Sequence, residues 1–298
     1  MKFLDILLVI LVTIAWGVNF VAAKWALEGF SPIFANGLRF AAVVIMLWPF
    51  LRIIPGRMAD LAIAAVALGV IHFGAVFWAV KLSDGVGSVA IASQLNVPFS
   101  TLLAIFLLGE TVGWKRAAGI ALSFVGVLAL GLDPTVFTYW EGLLVMTFAA
   151  LMYSVSAILM RRLKDVRAVT TQAWVGVAGV IGSLLLSFAF ESGQLEMVEA
   201  APTSAWLAVL YSGIGSSVIG HGGANYLLRK YEVSVVSPYF LLTPVVGVLA
   251  GVIMLNEAFT WRMALGGALT LAGVLVVTLR NNARSARLAE VAEDRAAV

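Results

Sequence analysis

The chain has 298 residues, of which 62% are hydrophobic and only 12% are charged, and its formal net charge is +3. A soluble globular domain carries roughly 45–50% apolar and about 25% charged residues, so this composition excludes that class and predicts a polytopic membrane protein. The chain has no cysteine, which excludes disulfides and thiolate metal sites, and we expect neither a metal nor a cofactor.

Ten hydrophobic stretches of about 20 residues follow one another, each long enough to cross a bilayer as a helix. The first could also be a signal peptide, but residues 15–24 resemble residues 152–161, which favours a membrane span. No connection between the stretches could hold a separate soluble domain. The predicted spans are 5–27, 32–54, 61–81, 87–108, 114–132, 139–161, 168–190, 204–228, 234–255 and 261–280.

The basic residues predict the orientation of these spans. With the N-terminus in the cytoplasm, fifteen of the nineteen Lys and Arg residues fall at the inner ends of spans or in the tail. Cytoplasmic segments of membrane proteins carry such an excess, so we expect both termini in the cytoplasm. The basic excess is thereby explained by topology, and nucleic acid is not an expected partner.

An internal repeat organises the chain, because residues 89–128 and 235–275 are two copies of one pattern. Glu110 matches Glu257 at an offset of 147, whereas Pro98 matches Pro244 at 146. Ten spans in two copies give five spans each, so the second copy must insert upside down, as in many secondary transporters. We therefore predict a first repeat over residues 1–132, a second over 139–280, and a cytoplasmic tail over 281–298 that forms a frayed or short surface helix.

Polar side chains near the centres of certain spans predict a lined cavity, because hydrocarbon penalises polar groups that lack partners. Spans 5 and 10 are nearly free of them, and their Gly119/Ser123 and Gly266/Thr270 pairs indicate helix-packing seams. In span 8, the polar residues Ser217, His221 and Asn225 follow one another at four-residue spacing and so share one helical face. The candidate substrate-binding residues are Asn19, His72, Trp78, Gln94, Asn96, Tyr153, Ser217, His221, Asn225 and Tyr239.

Several of these positions have a structural interpretation as well. A buried histidine is usually a structural hydrogen-bonding group, although the near-equivalence of His72 and His221 favours cavity lining as strongly. Pro98 and Pro244 are either simple kinks or hinges for gating, since proline removes a backbone donor. Arg39 could snorkel, bond carbonyls or attract a carboxylate, and a structural role is slightly favoured.

The acidic residues lie at the ends of spans or in loops. Glu110 and Glu257 are expected to cap the N-terminal amides of the helix that follows each of them. Because the usual mid-span carboxylate that carries a proton or sodium ion is missing, transport is either passive or coupled to a titrating histidine. No Walker-type nucleotide motif occurs in the sequence.

Two long segments of the chain read AVKLSDGVGSVAIASQLNVPFSTLLAIFLLGETVGWKRAAGIALSFVGVL and LLRKYEVSVVSPYFLLTPVVGVLAGVIMLNEAFTWRMALGGALTLAGVL. They resemble the EamA domain of the drug/metabolite transporter superfamily, and the opening AWGVNFVAAK is similar to that family's first helix. The second copy departs from the pattern with Leu-Asn-Glu in place of Leu-Gly-Glu. The resemblance implies two inverted five-helix repeats, a central cavity lined by helices 1–4 and 6–9, and export of metabolites, often amino acids, across a bacterial inner membrane.

The aromatic cavity candidates favour the YddG-like amino-acid exporters among the branches of this family. These candidates are Trp16, Trp78, Tyr153, Trp174 and Tyr239. The leading hypothesis is an exporter of amino acids, particularly aromatic or apolar ones, that works by alternating access. The polar candidates would bind the head group of the substrate, and Trp78, Tyr153 and Tyr239 would stack on its side chain.

Three alternatives remain open. The first is an exporter of other small metabolites or drugs, such as nucleosides or toxic compounds; sugar phosphates are disfavoured because few cations lie near the midplane. The second is an intramembrane hydrolase that uses Ser217 and His221, although one helix supplies no oxyanion site. The third is a receptor or scaffold. The expected partners are a small-molecule substrate and the lipid bilayer, and the oligomeric state is left open.

Overall fold

The structure is a computed structural model that describes residues 1–108, 112–163, 165–231 and 233–296. Within these ranges every regular element is a helix, which confirms the all-α polytopic class. Nine of the described helices are long and apolar enough to cross a membrane. The first seven are α1 (Phe3–Ala26), α2 (Pro32–Phe50), α3 (Met58–Leu82), α4 (Val86–Leu107), α5 (Trp114–Gly131), α6 (Trp140–Leu163) and α7 (Ala168–Phe190).

A helical run that is not among the nine occupies the position of the eighth predicted span. This run, α8, consists of Thr203–Leu210, Tyr211–Gly220 and His221–Lys230. Its centre is rich in glycine and serine, which lowers its hydropathy although the helix itself is present. Two further membrane-length helices follow, α9 (Pro238–Leu255) and α10 (Trp261–Ala283). The number of ten spans and the division into repeats at 1–132 and 139–280 therefore stay predictions.

Helices α4 and α9 break at matching places, just before the two prolines. In α4 the helix stops after Ser93 and resumes at Asn96, so that Pro98 is the third residue of the second segment. The amide of Val97 donates to the carbonyl oxygen of Gln94 over 3.1 Å. In a continuous α-helix this carbonyl would accept from residue 98, which as proline has no N–H. The proline thus accounts for the break.

The corresponding part of the second half has a 3₁₀ helix. Ser237–Leu241 forms this tighter turn, and the α-helix begins at Leu242, which makes Pro244 the third residue of its segment as well. Both predicted kinks are therefore places where one helical segment ends and another begins.

Helices α3 and α8 each contain a π-helical segment. The first covers Val66–His72, and the second covers Tyr211–Gly220 and ends immediately before His221. Such segments are rare and frequently occur at functional sites. The two histidines that the sequence pairs therefore stand at equivalent structural positions, each at the end of a π segment.

Helices α5 and α10 pack backbone against backbone. A Cβ atom on Gly126 would lie 2.7 Å from the carbonyl oxygen of Gly266, and one on Gly273 would lie 2.5 Å from that of Gly119. Only glycine allows helices to approach so closely. This contact confirms the predicted packing seam.

Glu257 is a cap, but of a different helix than the sequence predicts. Its carboxylate accepts hydrogen bonds from the amides of Val86 (2.5 Å) and Gly87 (3.1 Å), which begin α4 in the other half of the chain. The expected position at the start of α10 is taken by Thr260, whose hydroxyl accepts from the amide of Met263 over 3.1 Å. Glu110 lies outside the described residues.

The predicted tail is not a separate element. The helix that contains α10 runs on without interruption from Trp261 to Ala296. Residues 281–296 therefore continue a membrane-length helix, and their place in the cytoplasm stays a prediction.

Candidate functional site

Six rings from five helices form a continuous row of contacts, which we call the ring cluster. Its members are Trp16, His72, Phe73, Tyr153, His221 and Phe240. Ring centroids lie 5.2 Å apart for His72–Tyr153, 4.6 Å for His72–Phe73 and 6.4 Å for Phe73–His221. From His221 the row continues to Trp16 (5.2 Å) and from there to Phe240 (5.1 Å). The row joins helices of both halves, and it brings three predicted site residues together.

His72 has a defined hydrogen bond within this cluster. Its Nδ1–H donates to the carbonyl oxygen of Ala149 in α6 over 2.8 Å, and the residue is only 7% exposed. A carbonyl only accepts, so Nδ1 carries the proton, and in the neutral ring Nε2 holds a lone pair. The structural role and the cavity role weighed for this histidine are therefore compatible, because each uses a different ring nitrogen.

Arg39 of α2 borders the cluster and is completely buried. Its Nε and Nη2 donate to the hydroxyl of Ser217 over 3.2 and 2.9 Å, and its Cζ lies 4.1 Å from the ring centroid of Phe73. Its Nη1 has no hydrogen-bond partner among the described residues. The Ser217 hydroxyl in turn donates to the carbonyl oxygen of Ser212 over 3.1 Å. Ser217, a predicted site residue, is thus held by the arginine.

Three predicted amide side chains lie on α1 and at the break in α4. Asn19 follows Trp16 by about one turn of α1, is 7% exposed, and its Oδ1 has no partner in the part of the chain that the structure describes. Gln94 lies in the break and is buried, whereas Asn96 is half-buried. The carbonyl oxygen of Asn96 accepts from the Ser154 hydroxyl over 2.7 Å. The break therefore places polar groups of α4 against α6.

Other predicted residues do not join the ring cluster. Trp78 is 40% exposed and Asn225 is exposed. Tyr239 and its neighbour Phe240 both pack against the cluster of Val9, Leu227 and Val236, but only Phe240 has a ring contact with Trp16 among the described residues.

Trp174 also lies elsewhere, since its indole nitrogen donates to the carbonyl oxygen of Arg52 over 2.9 Å. Sequence reasoning missed Phe73 and Phe240, because neither carries a polar atom and the chain has 17 phenylalanines. Their position beside His72 and Tyr239 is the only signal that could have indicated them. The sequence slightly favours a structural role for Arg39 and does not place it among the candidate site residues.

Contacts between helix ends and loops, which we call the loop contacts, fall into two sets. In one set, Lys230 lies 3.0 Å from the carboxylate of Asp5, and Arg57 lies 2.9 Å from that of Asp165. Hydrogen bonds with the hydroxyl of Tyr226 and with Asp5 raise the pKa of Lys230. These pairs connect parts of the chain that the distribution of basic residues assigns to the cytoplasmic side.

The other set lies at the opposite ends of the helices. The Glu191 carboxylate accepts from the Ser31 hydroxyl (2.7 Å) and from the amides of Ile33 and Phe34 at the start of α2 (2.9 and 3.0 Å). The cap that Glu257 provides to α4 belongs to this set. The contacts of each set thus join parts of the chain that the predicted topology places on the same side of the membrane.

The sequence of the chain matches a family model twice. The model of the EamA-like transporter family matches residues 4–132 and residues 140–279. The chain belongs to this family. It is accordingly a multi-pass inner-membrane transporter of the drug/metabolite transporter superfamily and not an enzyme, which removes the hydrolase hypothesis.

Individual relatives span nearly the whole transporter. A protein of Escherichia coli named "Probable amino-acid metabolite efflux pump" is 26% identical over 284 residues, which cover 91% of this chain and 94% of that protein. An uncharacterised transporter of Archaeoglobus fulgidus is 29% identical, with 88% and 94% covered. A WAT1-related chloroplastic protein of Arabidopsis thaliana is 30% identical, with 88% and 66% covered. A crystal structure with 20% identity shares the fold, with a TM-score of 0.62 over 94% of this chain and 98% of the other.

Proposed function

We propose that this transporter exports amino acids, particularly aromatic or apolar ones, across a bacterial inner membrane by alternating access. The ring cluster is the observation that carries the proposal. It joins helices of both halves, it contains the buried hydrogen-bonding group of His72, and it is bordered by the buried Arg39. An aromatic amino acid requires this combination, with rings for the side chain and polar groups for the head group.

The relatives add a separate argument for the substrate class. Proteins of Escherichia coli and Salmonella typhimurium, 26% and 25% identical to this chain, carry the name "Probable amino-acid metabolite efflux pump". The proposed assignment has Trp16 and Tyr153 contacting the side chain of the substrate. The amides of Asn19, Gln94 and Asn96 and the Nε2 atom of His72 bind its head group.

Alternating access would use the two helical breaks and the two sets of loop contacts. Opening to the cytoplasm separates Asp5 from Lys230, and opening to the outside releases Glu257 from α4. The prolines of α4 and α9 stand next to breaks where a segment can tilt without losing a backbone hydrogen bond. The two sets of contacts at opposite ends of the helices support the ten-span topology with both termini in the cytoplasm.

Counterflow in proteoliposomes tests the substrate. Vesicles that contain the purified protein and are loaded with phenylalanine should take up labelled phenylalanine faster than unloaded vesicles. Because it removes an aromatic contact, Trp16→Ala should reduce this exchange by roughly tenfold. Trp114→Ala is the matched control, since Trp114 is 76% exposed and lies outside the ring cluster.

The same assay separates the alternatives. Threonine, methionine and uridine are compared with phenylalanine, each with and without a proton gradient. Absence of phenylalanine, threonine and methionine exchange in the wild type would reject amino-acid export, and exchange of uridine would favour the metabolite alternative. A dependence of the rate on the gradient distinguishes coupled from passive transport.

A further inference from the structure

Arg39 is a buried cation that lacks a counter-ion. The residue has 0% exposure, and none of the ion pairs among the described residues involves it. The sequence places no Asp or Glu near the middle of a span, so no acidic side chain is available at this depth. An ionised side chain in a low-dielectric interior is costly unless an opposite charge accompanies it. The site therefore lacks one negative charge.

The hydrogen bonds of the guanidinium show where that charge would bind. Nε and Nη2 both donate to one neutral acceptor, the hydroxyl of Ser217. Nη1 has no acceptor within the described residues, although it is fully buried. The plane of the group is covered by Phe73 at 4.1 Å and by Phe40 at 5.6 Å from Cζ. The contacts thus fix the orientation of the guanidinium and leave one nitrogen for a further acceptor.

We propose that Arg39 binds the carboxylate of the transported substrate through Nη1. This inference rests on the proposed function and assigns the acid group of the amino acid to a residue of α2. Phe73 links the two parts of the site, because it contacts both the guanidinium and the two histidine rings. A substrate held by Arg39 at its acid end therefore presents its side chain to the ring cluster.

The arrangement fits a monoanion better than a phosphate. Phosphoryl groups are normally held by several cations or by many donors. Lys24, in the last turn of α1, donates to the carbonyl oxygens of Val80 and Ser83 at the end of α3, so it does not contribute to the same site. A single guanidinium with one unoccupied nitrogen matches a single carboxylate.

The test compares phenylalanine with one analogue that lacks only the acid group and one that lacks only the amino group. Phenylalanine, phenylalaninamide and 3-phenylpropionate compete with labelled phenylalanine in counterflow, and each is also tested for protection of the purified protein against thermal unfolding. In the wild type the amide should bind at least about tenfold more weakly than phenylalanine, and 3-phenylpropionate should protect, because a charge-assisted hydrogen bond is lost only with the amide.

Arg39→Gln retains an amide donor for Ser217 but no charge, and it should bind phenylalanine and the amide equally. Arg39→Lys should keep part of the preference, since a lysine provides charge without the planar fork. The matched control is Lys24→Gln, which removes a partly buried cation at the end of α1 and should preserve the ratio of acid to amide. These ratios are internal to each variant and do not depend on how much protein folds.

Each outcome decides between the proposals. Equal binding of acid and amide by the wild type overturns the inference without any variant. An unchanged ratio in Arg39→Gln, with phenylalanine still exchanged, overturns the inference and leaves amino-acid export intact. If no amino acid is exchanged, but 3-phenylpropionate protects the wild type and not Arg39→Gln, the proposed substrate fails and the carboxylate site stands.

Discussion

The proposed site gives the two ring nitrogens of His72 different roles. Nδ1 donates to the carbonyl oxygen of Ala149 and so ties α3 to α6, while Nε2 is the nitrogen that we propose contacts the substrate. Substitutions can separate these roles, because the amide nitrogen of asparagine occupies about the position of Nδ1, and that of glutamine the position of Nε2.

His72→Asn should therefore retain the bond to Ala149 and stay within about 1 kcal/mol of the wild type in unfolding free energy, while phenylalanine exchange falls about tenfold. His72→Gln should lose the bond to Ala149 and unfold at a lower temperature. Thermal unfolding and counterflow on the same preparations measure both effects. Wild-type exchange by His72→Asn would exclude a substrate contact for Nε2.

The sequence predicted a candidate site residue wherever a side chain carries a polar atom deep in a span. It indicated His72, His221 and Ser217, because hydrocarbon makes a polar group at that depth informative. It could not indicate Phe73 and Phe240, since an apolar ring in a membrane helix needs no explanation. Their contribution depends only on which rings they contact, and that is a property of the packed structure.

At the level of helices, the breaks and the π segments differ in how far the sequence determines them. Proline removes a donor wherever it stands, so Pro98 and Pro244 predicted irregularities at the correct positions. The π segments have no comparable residue signature. In the π segment of α3, a Cβ atom on Gly69 would lie 2.6 Å from the carbonyl oxygen of Val175 in α7. The segment therefore coincides with a close contact to a helix that is distant in the sequence.

Pro98→Ala tests whether the break in α4 serves transport. Alanine supplies the missing amide donor to Gln94 and favours a continuous helix, so we expect equal or higher thermal stability together with slower phenylalanine exchange, by roughly tenfold. Pro134→Ala is the matched control, because Pro134 begins a short helix, Pro134–Phe137, where its missing donor would be unpaired in any case. Exchange at the wild-type rate by Pro98→Ala would show that the break is not needed for gating.

At the scale of the whole molecule, contacts between the halves override local rules. Glu257 was expected to cap its own following helix, yet it caps α4, some 170 residues earlier in the chain. A local rule identifies the chemistry, since a carboxylate near helix amides is a cap. Which helix receives the cap depends on how the two halves meet, and no spacing within one segment contains that information.

The passage of α8 through the membrane decides the overall topology. Its low hydropathy reflects serines and glycines, yet buried Ser212, Ser216 and Ser217 face protein rather than lipid, and Ser217 has hydrogen-bond partners. Such a helix can cross a bilayer because these polar side chains are enclosed by protein and not exposed to hydrocarbon. Glu191 in front of this run and Lys230 at its end belong to the two opposite sets of loop contacts.

Single cysteines can test this topology without background, since the chain has none of its own. Ser192 precedes α8, and Ala258 follows α9; both are exposed. With two crossings between them, Ser192→Cys and Ala258→Cys should both react with a membrane-impermeant maleimide in intact cells. Gly113→Cys and Ala283→Cys should react only after permeabilisation, as cytoplasmic controls. If α8 did not cross, positions 192 and 258 would lie on opposite sides, and the five-plus-five inverted arrangement would fail with them, because two copies of five spans require every one of the ten to cross.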